Sequence, residues 1–441
     1  MKNLKLSFLS VCFLVFNSSY SQGVSSSNLI DDLAQASSIN PAYSIKGSLT
    51  VSLPSYSYSF SNSGFTYNDL IQKRGTSDSL YLNTTGISNL LKSTNNMIQN
   101  KVFEFVAVGF KFKKFDFGLG YREKSLSRLK YFKSNWDNLF FGLTNSWGKE
   151  IELGTEFKSR KYRELIFKIS YPLHKVRLGG NFKLLNGIAD ISTSDHSIIL
   201  TSDTTTFESQ LKTNYTINSA NSENFGTYLG NYPVKGVNLG YALDLGVIYE
   251  LSNKVQFSIS ALDLGSIKWE SNPINYSSDS SFTPVGLVYS FFSSDSLGLM
   301  SAIQKSLYMS ESNNSYSTTL TPKFHFSTKL YIDSVNTFGM SVYSEYYEKM
   351  YHSITFSYSR RFKFFSSGIN YSYSNNSHNI GINSTLKLKM AQLFFITDNV
   401  LSHSNTAAFY YYDKLTGVNQ SILIPKRVKN RSYCVGMNLL F

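Results

Sequence analysis

The chain has 441 residues, of which 42% are hydrophobic, 15% aromatic and only 16% charged, with a formal charge of +13. An average soluble domain is about 25% charged; here about 70 serines, 31 Tyr and 34 Phe fill that share, a make-up that excludes collagen, coiled coil and a disordered tail. The basic residues stand singly, so the charge does not point to nucleic acid, and no Pro-rich, charged or low-complexity stretch divides the chain, which predicts one domain.

Residues 1–21 read as a secretory signal peptide: Lys2 and Lys5 precede the apolar stretch Leu6 to Phe16, and Ser19-Tyr20-Ser21 before Gln22 has the small-residue cleavage pattern. That stretch is about eleven residues long, short of the ~20 a membrane helix needs. Cys12 leaves with the signal and Cys434 remains alone, so neither a disulfide nor a cysteine metal site is expected. Residues 22–46 carry Ser27-Asn28-Leu29-Ile30-Asp31-Asp32-Leu33 and then Asn40-Pro41-Ala42. Ser27 can cap a short helix with Asp31 and Asp32 in its first turn. An apolar helix face ending in a fixed Asn-Pro turn predicts a hatch, a plug for the lumen formed by the rest of the chain; the other reading is a loose periplasmic tail.

From residue 47 to 441 the dominant signal is period-2 alternation, the mark of a strand with two unlike faces. Leu239, Tyr241, Leu243, Leu245, Val247 and Tyr249 alternate with Gly240, Ala242, Asp244 and Gly246. The pattern places strands near 48–60, 102–113, 115–123, 163–173, 175–192, 236–250, 254–265, 318–332, 336–346, 350–360, 364–374, 379–388, 391–398 and 431–441, fourteen in all. Short turns at Lys113-Lys114, His174, Ser252-Asn253, Asp333 to Val335, Arg361 to Lys363 and Lys389-Met390 come after every second strand, and five connections on the other side are long. Outer-membrane barrels have this asymmetry of short periplasmic turns and long external loops, whereas a soluble domain with several loops of about forty residues is suspect. Closure is required because unpaired backbone groups cost several kcal/mol each in lipid. The fold class read here is therefore all-β, a transmembrane antiparallel barrel of about fourteen strands. Phe441 stands in the outward phase of the last strand, and the prolines fall mostly in loops or near strand ends; Pro54 is placed to shift the phase between Leu53 and Tyr56. In 124–162 and 193–235, Ile151 and Leu153, or Ile198 to Leu200 with Phe207 to Ile217, read either as extra strands, which would make sixteen, or as hairpins on the rim.

No catalytic motif is present: there is no Gly-x-Ser-x-Gly elbow, no His-Glu-x-x-His pair and no phosphate loop. The six His are scattered without metal-ligand spacing. The reading is a non-enzyme with no cofactor and no metal. By parity, Lys111, Asp116, Lys168, Arg177, Lys183, Asp244, Gln256, Lys323, His325, Glu345 and Lys387 point into the lumen. Basic residues outnumber acidic ones there, which suits a wall that attracts anionic solutes or amphiphile head groups; the plainer reading is that these groups pair with one another.

Asp31-Asp32 through Asn40-Pro41-Ala42, leading into the first strand, resembles the N-terminal hatch of the long-chain fatty-acid transporter superfamily, which includes the type IX secretion attachment barrel. That resemblance implies fourteen strands. Leu53-Pro54-Ser55, Ser63-Gly64-Phe65-Thr66-Tyr67-Asn68-Asp69-Leu70, Lys183-Leu184-Leu185-Asn186-Gly187-Ile188-Ala189, Ala261-Leu262-Asp263-Leu264-Gly265-Ser266-Ile267-Lys268-Trp269 and Thr397-Asp398-Asn399 resemble an uncharacterised outer-membrane barrel family of the Bacteroidota, which implies no function. The expectation is a monomer in contact with outer-membrane lipid that binds no nucleic acid. It either passes a small hydrophobic or amphiphilic solute or, as a non-conducting accessory barrel, docks a secreted or surface protein. A solute path predicts a cavity beside the hatch that reaches the barrel wall or both ends. Docking predicts ordered loops capping the outer mouth over a tightly plugged lumen.

Overall fold

The computed structural model describes residues 25–441 apart from 31–32, 74–79, 143–146, 207, 226–237, 284–305, 348–349, 375–376, 401–405, 414–417 and 426–428. The signal segment, Asp31, Asp32 and Phe207 lie outside the described residues. Fourteen antiparallel strands succeed one another around a ring: β1 (Leu49–Ser52, continued by Ser55–Asn62), β2 (Thr94–Phe112), β3 (Phe115–Phe132), β4 (Glu156–Leu173), β5 (Val176–Ser202), β6 (Leu239–Ser252), β7 (Val255–Trp269), β8 (Lys323–Tyr331), β9 (Asn336–Tyr346), β10 (Met350–Arg361), β11 (Phe365–Ser374), β12 (Ser377–Leu388), β13 (Ala391–Thr397) and β14 (Asn430–Leu440). The ring closes where Thr50, Val51 and Ser52 of β1 stand opposite Leu440, Leu439 and Asn438 of β14. At the seam the Ser48 amide donates to the Phe441 carbonyl (2.8 Å) and the Phe441 amide to the Leu49 carbonyl (2.8 Å).

The alternation in sequence becomes an alternation in exposure. Tyr241 (66%), Leu243 (47%), Leu245 (55%) and Val247 (40%) face outward, while Ala242, Asp244, Gly246 and Ile248 between them are inward or buried. Phe167, Ile169, Ile259, Phe338, Ile369 and Phe395 extend the same apolar belt around the ring, a continuous surface that matches hydrocarbon. Pro54 acts as expected: Ser52 lies opposite Asn438 and Tyr56 opposite Val435, so β1 carries one residue more than β14 across the break. The short turns use left-handed backbone at Lys113 (φ 56°), His174 (φ 53°) and Lys389 (φ 50°). In the β8–β9 turn, Asp333 accepts from the Asn336 side chain (2.7 Å) and from the amides of Val335 (2.8 Å) and Asn336 (2.7 Å). These bonds hold its carboxyl below the ordinary range, the Asn336 side chain contributing most.

On the opposite side the strands run further than the alternation suggests: β2 begins at Thr94 rather than near 102, β3 continues to Phe132, and β4 begins at Glu156. Beyond the belt the ladder persists but both faces meet water or protein, so hydropathy no longer alternates. The outer end of β5 pairs with Ser209–Ala220, which pairs with Pro273–Phe282 and then Ser310–Ser312; Ile151–Glu152 joins on the other side. These are rim hairpins on a fourteen-stranded ring. Ile151, Leu200, Leu211, Tyr215, Ile217, Leu307 and Met309 form their apolar core. Beside it the helices Thr84–Leu90 and Lys133–Phe141 are joined by Trp136 Nε1 donating to the Thr84 carbonyl (3.2 Å) and Ser88 Oγ donating to Asp137 (2.6 Å).

Leu245 sits midway between Tyr241 and Tyr249 on the outward face of β6. Leu245→Arg is expected to lower the unfolding free energy of the reconstituted barrel by about 2–4 kcal/mol, read from denaturant titration in lipid vesicles, whereas Leu245→Phe leaves it nearly unchanged.

Candidate functional site

The N-terminal segment packs inside the ring. Instead of the helix expected from Ser27, it forms two single 3-10 turns, Ser25–Leu29 and Ala34–Ser38. Within a lumen its apolar residues meet wall on several sides, and no single helical face could satisfy them. Leu29, Ile30, Leu33, Ala36, Ile39, Ala42 and Ile45 are all buried, and Ile30 and Leu33 pack with Phe394, Ile396 and Cys434 of β13 and β14. Polar bonds complete the seating. Ser26 donates to Asp398, Gln35 and Asn438 exchange side-chain bonds (2.9 and 3.0 Å), and Ser260 donates to the Ile39 carbonyl (2.6 Å).

Asn40-Pro41-Ala42 has its own niche. Asn40 Nδ2 lies within donating distance of the carbonyls of Val247 (3.2 Å) and Ile259 (3.0 Å) and of Ser258 Oγ (2.8 Å), and its Oδ1 accepts from the Ala42 amide (2.8 Å). The wall is thinned there by Gly179 and Gly246, cross-strand partners in β5 and β6. A Cβ on Gly246 would fall 1.9 Å from Asn40 Oδ1, and one on Gly179 2.3 Å from the Ala42 amide nitrogen. Below this niche Asp116 accepts from Arg177 (2.9 Å) and from the Ile45 amide (3.2 Å), and Lys168 donates to the Tyr43 carbonyl (2.7 Å).

Above the segment lies a network of buried charge. Arg122 of β3 pairs with Glu164 of β4; Lys124 meets Glu164 (2.9 Å) and Asp263 (3.1 Å); Lys183 meets Asp244 and Asp263 (2.6 Å each); and Lys323 meets Asp263 (2.9 Å). Asp244 also accepts from the Asp263 amide (2.8 Å) and Asn181 (2.9 Å). Burial of these ions is tolerable because each is paired and further hydrogen-bonded. A cavity of about 190 Å³ opens between this network and the segment, with Gln35 and Ser38 on one side and Arg122, Lys124, Lys323 and His325 on the other. A second, of about 90 Å³, shares Ser38, Glu104 and Arg122 with the first and extends to the wall at Ala107, Gly109, Gly118 and Gly120. Nearer the outer mouth Arg128 of β3 stacks 4.3 Å from the ring centre of Tyr347, just past β9, and donates to Asn96 (3.2 Å).

Of the residues singled out by parity, Lys183, Asp244 and Lys323 come together in the network, and Asp116, Lys168 and Arg177 in the group below the niche. His325 lines the larger cavity 4.7 Å from the Tyr343 ring, and Glu345 is buried and accepts from Tyr347 (2.9 Å). Gln256 is half-buried, while Lys111 and Lys387 are exposed beside the turns at Lys113 and Lys389. The inward set singled out misses Arg122 and Glu164, although they share the phase of Asp116 and Lys168, and Lys124, one residue past the predicted strand end at 123. It also misses Asp263, which a bulge turns inward: Leu243 stands opposite Leu264 but Leu245 opposite Ala261. An acidic residue in the lipid-facing phase of a membrane strand is the signal the sequence offers there. Among the described residues no group of three or more His, Cys, Asp or Glu is placed to hold a metal.

A closed strand ring with an apolar outer belt and a charged, partly filled lumen defines a transmembrane β-barrel protein. The chain belongs to DUF5723, a family of unknown function, whose sequence profile matches residues 41–398. No curated protein sequence matches it. Among solved structures it is similar to a mutant of the monoaromatic hydrocarbon channel TodX (TM-score 0.45, 7% identity, 96% of each chain covered). It is also similar to a Pseudomonas aeruginosa FadL homologue (TM-score 0.43, 8% identity, 96% of this chain and 99% of that), and to the Ralstonia pickettii toluene transporter TbuX (TM-score 0.40, 8% identity, 91% of each).

Gly246→Val is expected to leave the strand ring intact by circular dichroism while displacing Asn40, so that limited proteolysis cuts within residues 25–46 at least about tenfold faster than in the parent chain. Unchanged cleavage would show that the niche does not hold the segment.

Proposed function

We propose that the protein is an exported, monomeric, non-enzymatic barrel of the outer membrane that passes a small amphiphilic solute with an anionic head group, residues 22–46 acting as its hatch. The observation that carries this reading is the pair of cavities beside the segment, one walled by charged groups and the other running from Glu104, Arg122 and Lys168 to a stretch of wall that includes Ala107, Gly109, Gly118, Gly120 and Ile166. The first suits a head group and the second an apolar tail. The groups that line the larger cavity are basic in excess, Lys101, Arg122, Lys124, Arg160, Lys183 and Lys323 against Glu104 and Asp263. Such an excess favours an anion. The reading needs no cofactor and no nucleic acid.

A second reading, docking of a secreted or surface protein, draws support from the folded rim, where Leu139, Phe140 and Phe141 are exposed on one helix. Native mass spectrometry of the barrel extracted gently from its own membrane separates the two. A bound small amphiphile that is lost from the folded Asn40→Ala/Pro41→Ala variant is the expected result. A stoichiometric protein partner with no small ligand would overturn the solute reading and direct attention to the rim.

A further inference from the structure

Asp263 reaches the lumen by an unusual route. The bulge in β7 sets two residues, Leu262 and Asp263, against Asp244, and Asp263 adopts φ +59°, left-handed backbone that Asp tolerates better than most side chains. One carboxylate is thereby delivered to three ammonium groups carried by three other strands. Its Oδ1 meets Lys124 (3.1 Å) and Lys183 (2.6 Å), and its Oδ2 meets Lys124 (3.2 Å) and Lys323 (2.9 Å). The three lysines are not equivalent. Lys124 has a second carboxylate in Glu164 and Lys183 has one in Asp244. Lys323 meets no other carboxylate within 4 Å among the described residues, and its side chain is the most accessible of the three, at 26% against 12% and 1%.

Asp263 and the three lysines line the larger cavity, and so does His325, two residues along the same inward face of β8. His325 is 7% exposed, and its Nδ1 has no protein hydrogen-bond partner among the described residues. A buried ring nitrogen left in this way beside an ammonium is a polar edge awaiting a ligand group.

We propose that Asp263 is a displaceable internal counter-anion: a ligand's anionic head takes its place on Lys323 and accepts from His325, while Asp263 keeps Lys183. The proposal rests on the amphiphile reading and adds to it the residue that sets charge selectivity. With no ligand, Asp263 prevents a cluster of like charges from standing unpaired in a buried site. A neutral amphiphile brings nothing to exchange, so the internal carboxylate also works against the wrong solute.

The test is titration calorimetry of the full barrel in phosphatidylcholine nanodiscs with decanoate and 1-decanol as probes. The parent chain is expected to prefer decanoate. Asp263→Asn removes the competitor and is expected to bind decanoate about tenfold tighter, with decanol unchanged. Lys323→Gln, which leaves the Lys124 and Lys183 pairs in place, is expected to abolish the preference, and it carries the test should Asp263→Asn fail to fold. A preference for decanoate that folded Asp263→Asn fails to strengthen, or that Lys323→Gln leaves intact, would overturn the exchange alone. Binding of neither probe by the parent chain would overturn the amphiphile reading and this proposal with it.

Discussion

Hydrocarbon offers no hydrogen bonds, so a strand that crosses it has to bond to a neighbour on each side, and the sheet must return to its own beginning. In this protein the condition is met at the β1–β14 seam, where Thr50, Val51 and Ser52 face Leu440, Leu439 and Asn438. Closure then dictates the rest. Alternate side chains are forced into an interior too wide to be filled by the strands alone. That interior is filled partly by chain, in the N-terminal segment, and partly by charge held in pairs.

The filling is uneven around the ring. Strands β3 to β8 supply Arg122, Lys124, Glu164, Lys183, Asp244, Asp263 and Lys323, whereas the inward faces of β9 to β12, Glu345 apart, present Ser341, Ser353, Thr355, Ser357, Ser359, Asn370, Ser372, Asn383 and Thr385, all buried. The abundance of serine in the composition has its structural meaning here. Small uncharged side chains let the turn at Ser25–Leu29 approach β9 closely, as at Gly339, where an added Cβ would lie 3.0 Å from Leu29 Cδ2. The uncharged side of the lumen therefore receives the first turn of the segment, while Asn40 to Ile45 seat against β3 to β7, the strands that carry the charge.

Much of this is legible in the residues. The period-2 alternation around Leu243 and Leu245, the six tight turns and the long connections on the other side specify fourteen strands because lipid on one face and a polar lumen on the other impose a strict two-sided code. The code fails where its physical cause does. Beyond the belt the strands continue through Asn95, Arg128 and Glu156 with no apolar face to mark them. At Asp263 a bulge exchanges the two faces, and at Ser27 a helix signal yields to the shape of the enclosing wall. Asn40 can be singled out, but its partners Gly179 and Gly246 cannot, since a glycine in a strand carries no record of what approaches it.

The seating of the N-terminal segment bears on how the molecule is made. Gln35 and Asn438 exchange hydrogen bonds across 403 positions of sequence, so these bonds form only when the last strand has arrived. Contacts of such range are slow to form. The segment runs directly into β1, which keeps it tethered at the open edge while the other strands assemble. The step that zips β1 to β14 is then also the step that encloses it, so folding of the wall and loading of the lumen are a single kinetic event.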